Sequence, residues 1–181
     1  MTLAERVVAL HEALRDAGVP HAFGGAIALA FTTLNPRGTN DIDCNLFVPA
    51  ADPAAALAAL PAGIERPAGL ERTVARDGQV RLWWDETPVD LFFDYAPVHA
   101  RAAANARRVE FDGVELPVLG PVELLIFKVM FDRAQDWVDI EAAIAAGTVD
   151  VDAVRSGLDE LLEAGDPRRA RLDEVERRAS A

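Results

Sequence analysis

Two aspartates two residues apart, Asp41 and Asp43, stand where a polar turn gives way to the apolar run Ile42 to Val48. Successive strand side chains point to opposite faces, so Asp41 and Asp43 share one face while Ile42 and Cys44 share the other. Neighbouring carboxylates repel. A divalent cation between them removes the repulsion, and oxygen-rich sites of this kind suit Mg²⁺ or Mn²⁺ held together with substrate phosphates. A third carboxylate, Asp90, interrupts the strand-like run Val89-Asp90-Leu91-Phe92-Phe93. Aspartate is depleted in strands and rarely buried unpaired. If the two strands are neighbours, the three carboxylates converge. Upstream, Gly24-Gly25 opens a short apolar helix whose first N–H groups can cradle phosphate. Three carboxylates near a glycine pair make a site for a metal-bound triphosphate, as phosphoryl or nucleotidyl transfer requires.

The elements that must position these residues are legible from capping, periodicity and turn residues. Thr2 with Glu5 forms a capping box for a helix through about Ala17, with Val7, Val8, Leu10 and Leu14 as its apolar stripe. A short strand, His21 to Phe23, leads into the glycine pair, and a helix follows over Ala26 to Thr33. Asn35 to Asn40 reads as a loop from its Pro, Gly and Asn content. Asp52-Pro53 predicts the start of an alanine-rich helix, with Asp as cap and Pro at its first position. Strands are predicted at Val80 to Trp84 and Val89 to Phe93, and a hairpin at Arg108 to Val118 around Asp112-Gly113. From Pro121 onward the chain reads as helices: Pro121 to Phe131, Trp137 to Ala146, Asp150 to Ala164 and Pro167 to Arg178. The fold class is therefore α/β (α+β): a small mixed sheet with flanking helices over 1–119, then a helical bundle over 120–181, with the active site in the groove between them.

Plainer readings stand beside the chemical ones. The glycine pair can be a tight strand-to-helix turn. Arg37 is either a solvated loop charge or a phosphate ligand. Lys128 either pairs with Asp132 one turn later or reaches a triphosphate as a point charge. Asp136 is either the N-cap of the next helix or a site residue, and Asp139 falls in that helix's first turn. Trp83, Trp84 and Trp137 read as packing residues.

Composition narrows the partners. The 181 residues carry 18 Lys and Arg against 30 Asp and Glu, a net charge of −12. That argues against broad non-specific nucleic-acid binding, in which a basic face supplies most of the affinity. The single cysteine, Cys44, cannot form an internal disulfide and fits a reducing cytoplasm. No apolar run is long enough for a membrane span, so no membrane partner is expected.

In order and spacing, Gly24-Gly25, Asp41, Asp43 and Asp90 resemble the nucleotidyltransferase superfamily of the DNA polymerase β type. The closer resemblance is to its AbiEii-like, type IV toxin branch. The matching segments are Gly24-Gly25-Ala26-Ile27-Ala28-Leu29-Ala30, Arg37-Gly38-Thr39-Asn40-Asp41-Ile42-Asp43, Val89-Asp90-Leu91, Lys128 and Arg133-Ala134-Gln135-Asp136-Trp137-Val138-Asp139. Together they span roughly residues 20–145. Gly25 departs from the serine common in other branches, so no hydroxyl is available there. The resemblance implies a cytoplasmic, Mg²⁺- or Mn²⁺-dependent transferase moving a nucleotide from an NTP to an acceptor hydroxyl. Asp41, Asp43 and Asp90 would be metal ligands; Gly24, Gly25, Arg37, Thr39 and Lys128 would bind nucleotide; Asp136 would join the catalytic set. The implied setting is a toxin acting on RNA such as tRNA, with a cognate antitoxin. A transferase acting on a small molecule or a protein is the enzyme alternative. A nucleotide-binding antitoxin or regulatory module is the non-enzyme one.

Overall fold

The first helix begins as the sequence predicts. The Thr2 hydroxyl accepts the Glu5 backbone N–H, and the Glu5 carboxylate accepts the N–H of Thr2 at 2.7 Å. The computed structural model describes residues 1–179. Residues 180 and 181, the end of the expected helical region, lie outside them. In chain order the elements are α1 (Leu3–Asp16), β1 (His21–Phe23), α2 (Gly25–Thr33), β2 (Ile42–Pro49), α3 (Ala54–Ala58), α4 (Leu70–Asp77), β3 (Gln79–Trp84) and β4 (Thr87–Asp94). Then come α5 (Pro97–Ala104), β5 (Arg107–Phe111), β6 (Val114–Val118), α6 (Pro121–Phe131), α7 (Ala134–Ala145), α8 (Val151–Asp159) and α9 (Pro167–Ala179).

The described strands form one mixed sheet in the order β3-β4-β2-β1-β6-β5. β2 runs parallel to β4 and β1 parallel to β6, while the other neighbours are antiparallel. The mixed α/β class expected from the sequence is the one observed. Burial alternates along β4 and at the start of β2, where Asn45 then breaks the pattern: Ile42, Cys44, Leu46, Val89, Leu91 and Phe93 are fully withdrawn from water. Their carboxylate-bearing neighbours Asp43 and Asp90 stay half-buried on the other face. The β5–β6 turn uses Asp112 and Gly113 at φ 51° and 79°. A two-residue turn that follows the sheet's twist needs positive φ at both positions, which is why Asp-Gly serves there.

Five elements differ from the sequence reading, among them α7, which starts at Ala134 rather than Trp137 because Arg133 takes the cap position. Pro53 is itself the cap of α3, and no side chain caps that helix. α4 and α5 fall outside the expected elements. α4 is held between left-handed Gly69 and Gly78 and, at eight mostly polar residues burying only Leu70 and Val74, is too short to stand out. α5 starts at Pro97 and buries Val98, His99 and Ala102. α8 stops at Asp159, five residues early, where the chain turns before α9.

The chain divides into two compact units, Met1–Ile27 with Gly38–Leu119, and Ala28–Arg37 with the residues from Gly120 onward. The first holds the sheet; the second holds α6 to α9. Two contacts tie Ala28–Arg37 to its own unit: Thr148 Oγ1 donates to the Thr32 carbonyl at 2.7 Å, and Arg37 pairs with Asp139. No helix among the described residues is long and apolar enough to cross a membrane.

Candidate active site

Register builds the site. Parallel pairing of β2 with β4 places Asp43 opposite Asp90, and antiparallel pairing of β3 with β4 places Arg81 opposite the same Asp90. Arg81, Asp90 and Asp43 thus form one row across three strands. Arg81 grips both carboxylate oxygens of Asp90, Nε to Oδ1 at 2.7 Å and Nη2 to Oδ2 at 2.6 Å. The arginine side chain is 52% exposed and the aspartate only 15%. Hydrogen bonding to Asp90 holds the Arg81 pKa above its usual value; partial burial opposes this, and the charges of Asp90, Asp41 and Asp43 add to it. All three expected carboxylates therefore act on one guanidinium. Sequence reasoning missed Arg81, which reads as one polar residue on the wet face of a strand. The signal was in the turn: counting outward from Asp85-Glu86 pairs Trp84 with Thr87, and so Arg81 with Asp90.

The glycine pair closes against this row. Gly24 donates its N–H to the Asp43 carbonyl at 2.9 Å. Gly25 opens α2 at φ +49°, and a β-carbon there would lie 1.8 Å from Oδ2 of Asp43. Only glycine admits that carboxylate so close to the start of the helix. Asp41 sits just ahead of β2, where Thr39 Oγ1 donates a short hydrogen bond to its Oδ1. The structure thus gathers Gly24, Gly25, Thr39, Asp41, Asp43 and Asp90 in the sheet unit. Their oxygens are the hard donors that Mg²⁺ takes. A cation, the Arg81 guanidinium, already stands on Asp90. A ready three-ligand cage is not formed: among the described residues no three His, Cys, Asp or Glu side chains are gathered to hold a metal ion.

The remaining sequence candidates, Arg37, Lys128 and Asp136, belong to the helical unit. Lys128 does not pair with Asp132 on an open helix face. It is buried, with Nζ 3.2 Å from Oδ1 of Asp136 and 2.6 Å from Oδ2 of Asp139. Asp132 instead accepts from the Trp137 indole at 2.6 Å. Asp136 is not the N-cap of α7: Arg133 holds that place, and Asp136, three residues on, accepts the Arg133 N–H and pairs with its guanidinium at 2.7 Å. Asp139 lies beyond the first turn. It also takes two hydrogen bonds from Arg37, at 3.2 and 3.0 Å, and one from Gln135 at 3.0 Å. Burial pushes the Asp139 carboxyl up, but the hydrogen bonds from Arg37, Lys128 and Gln135 outweigh it and hold the group below the usual carboxylate range.

No protein-family model matches the chain, and no curated protein matches it by sequence. Solved structures do. The antibiotic-resistance factor ANT(2'')-Ia, solved in complex with adenylyl-2''-tobramycin, is 12% identical, with 98% of this chain and 99% of that one covered at a TM-score of 0.55. The solution structure of the same factor gives 11% identity, 97% and 89% coverage and a TM-score of 0.55. An antigenic nucleotidyltransferase-like protein from Paracoccidioides brasiliensis gives 17% identity, 94% and 92% coverage and a TM-score of 0.52. The chain therefore has a nucleotidyltransferase-like fold.

Proposed function

We propose that the sheet unit carries out metal-dependent nucleotidyl transfer from an NTP to an acceptor hydroxyl. The observation that supports this most is the Asp43–Asp90 row set against a helix start that tolerates only glycine at Gly25. In this reading the backbone N–H groups at Gly24 and Gly25 receive the β- and γ-phosphates. Asp41, Asp43 and Asp90 would hold the cation, with Thr39 fixing the Asp41 side chain. Asp90 orients the acceptor hydroxyl and accepts its proton as the acceptor oxygen bonds to the α-phosphorus. The bond from that phosphorus to the bridging oxygen breaks, and pyrophosphate leaves. Bound Mg²⁺ or Mn²⁺ would supply charge neutralisation on the triphosphate and raise the acidity of the attacking hydroxyl. Lys128 and Asp136, each already satisfied inside the helical unit, are assigned a structural role, and so is Arg37 through Asp139.

The acceptor admits two readings. The sequence resemblance favours RNA such as tRNA, in a toxin–antitoxin setting. The net charge of −12 and the full-length fold likeness to an aminoglycoside nucleotidyltransferase favour a small hydroxylated compound, which we prefer. Incubation with each α-labelled NTP, Mg²⁺, total RNA and a panel of hydroxylated small molecules separates them. Label on a small molecule supports the preferred reading, and label in an RNA band supports the toxin reading. Asp43→Asn and Asp90→Asn should lose transfer and most of the melting-temperature rise that Mg²⁺–NTP gives the wild type, a stabilisation of roughly 2.7 kcal/mol at about 100 times Kd. Variants that transfer label as the wild type does would refute the assignment.

A further inference from the structure

We propose that Arg81 is a built-in competitor for the cation, a positioning residue that occupies both oxygens of Asp90 until a divalent ion takes them. This rests on the reading of Asp43 and Asp90 as metal ligands. The guanidinium does not simply lie near the site. It bonds Oδ1 and Oδ2 of Asp90 at once, leaving neither oxygen without a partner. It comes from β3, the last strand of the sheet on that side, with a side chain about half exposed. It can therefore swing into water without stranding a buried charge, as a cation displaced by another must. While it stays, it offsets the repulsion between two carboxylates paired across parallel strands. The planar fork matters: an ammonium at the same place makes a point contact and cannot hold both oxygens in the same way. A competing counter-ion sets a threshold of metal concentration below which Asp90 remains locked.

The test is Mn²⁺ binding to the full chain without nucleotide, followed by the electron paramagnetic resonance of free Mn²⁺, which needs no turnover. Arg81→Gln should bind Mn²⁺ about twofold to fivefold more tightly than wild type, the range set by loss of a competing exposed pair worth ~0.4–1 kcal/mol. Arg81→Lys keeps the charge but loses the fork, and should fall between the two. If Arg81→Lys matches wild type while Arg81→Gln binds more tightly, only long-range charge is at work and the proposed occupancy is wrong. If both variants bind no more tightly than wild type, Arg81 does not compete at all. Asp90→Asn tests the underlying reading separately. Undiminished Mn²⁺ binding in that variant removes the metal site and this proposal with it, whereas weakened binding with unchanged arginine variants overturns the proposal alone.

Discussion

Nζ of Lys128 lies 2.6 Å from Oδ2 of Asp139, and both side chains are almost wholly withdrawn from water. With Asp136 on the same ammonium and Arg37 on Asp139, the helical unit is organised around buried charge. Removing one member of such a set leaves the others uncompensated, which is far more costly than losing a surface pair. Lys128→Ala should therefore lower unfolding free energy by ~3–5 kcal/mol in urea titrations. A loss of only ~0.3–0.5 kcal/mol, the worth of an exposed helix pair, would restore the reading in which Lys128 faces solvent.

Gly25→Ala concentrates its effect on one carboxylate. The new methyl would meet Oδ2 of Asp43 and would sit at a positive φ that costs a non-glycine residue ~1–2 kcal/mol. Asp43 must turn away from the helix start. Thermal denaturation with and without Mg²⁺–NTP should show a modest loss of basal stability and a near-complete loss of the ligand-induced rise. Retention of the full rise would mean that the Asp43 position is irrelevant to binding.

Protonation of a histidine pair should make the sheet unit acid-sensitive. His11 Nδ1 and His21 Nε2 are 2.9 Å apart, and His21 Nδ1 lies 2.8 Å from the Val19 carbonyl. That carbonyl needs a donor, so His21 carries its proton on Nδ1 and accepts from His11. Burial lowers the pKa of both. Arg15 and Arg108 add to the shift at His11 against Asp16; His11 and Arg108 add to it at His21 against the Val19 carbonyl bond. Folded values below the unfolded one mean that the unfolded chain binds more protons. Stability is therefore complete above about pH 6.5 and is lost as pH falls below it. The melting temperature should hold above about pH 6.5 and drop as the pH falls below it, and His11→Gln, which keeps a donor to His21, should flatten that slope. An unchanged slope would assign the effect to other groups, His99 among them, whose pKa burial also lowers.

Local chemistry carried the sequence reading a long way. The Asp112-Gly113 turn, the Thr2–Glu5 box and the carboxylates in apolar strands each announce themselves within a few residues. The face shared by Asp43 and Asp90 followed from alternation plus one assumption, that their strands are neighbours. What stayed hidden depends on partners distant in sequence. Lys128 looks like an amphipathic helix lysine until α7 folds two carboxylates over it. Ala28–Arg37 carries no compositional mark of its membership in the helical unit, which rests on Thr148 and Asp139, more than a hundred residues away. Arg81 is intermediate, since its partner could be counted from a turn that itself had to be located first.

Asp90 meets its two partners by routes of very different length. Arg81 reaches it across a hairpin closed by two residues, a step that takes about 1–10 μs in isolated hairpins. Asp43 reaches it only when β2 docks in parallel after the whole α3–α4–β3 excursion, a non-local closure that is intrinsically slow. If the hairpin closes before β2 docks, the cation is in place before the second negative charge arrives. In that order Arg81 would escort Asp90 during folding, and a chain carrying Arg81→Gln would bring Asp90 to β2 unescorted. Its signature would be kinetic: a depressed refolding arm of the chevron with the unfolding arm nearly unmoved.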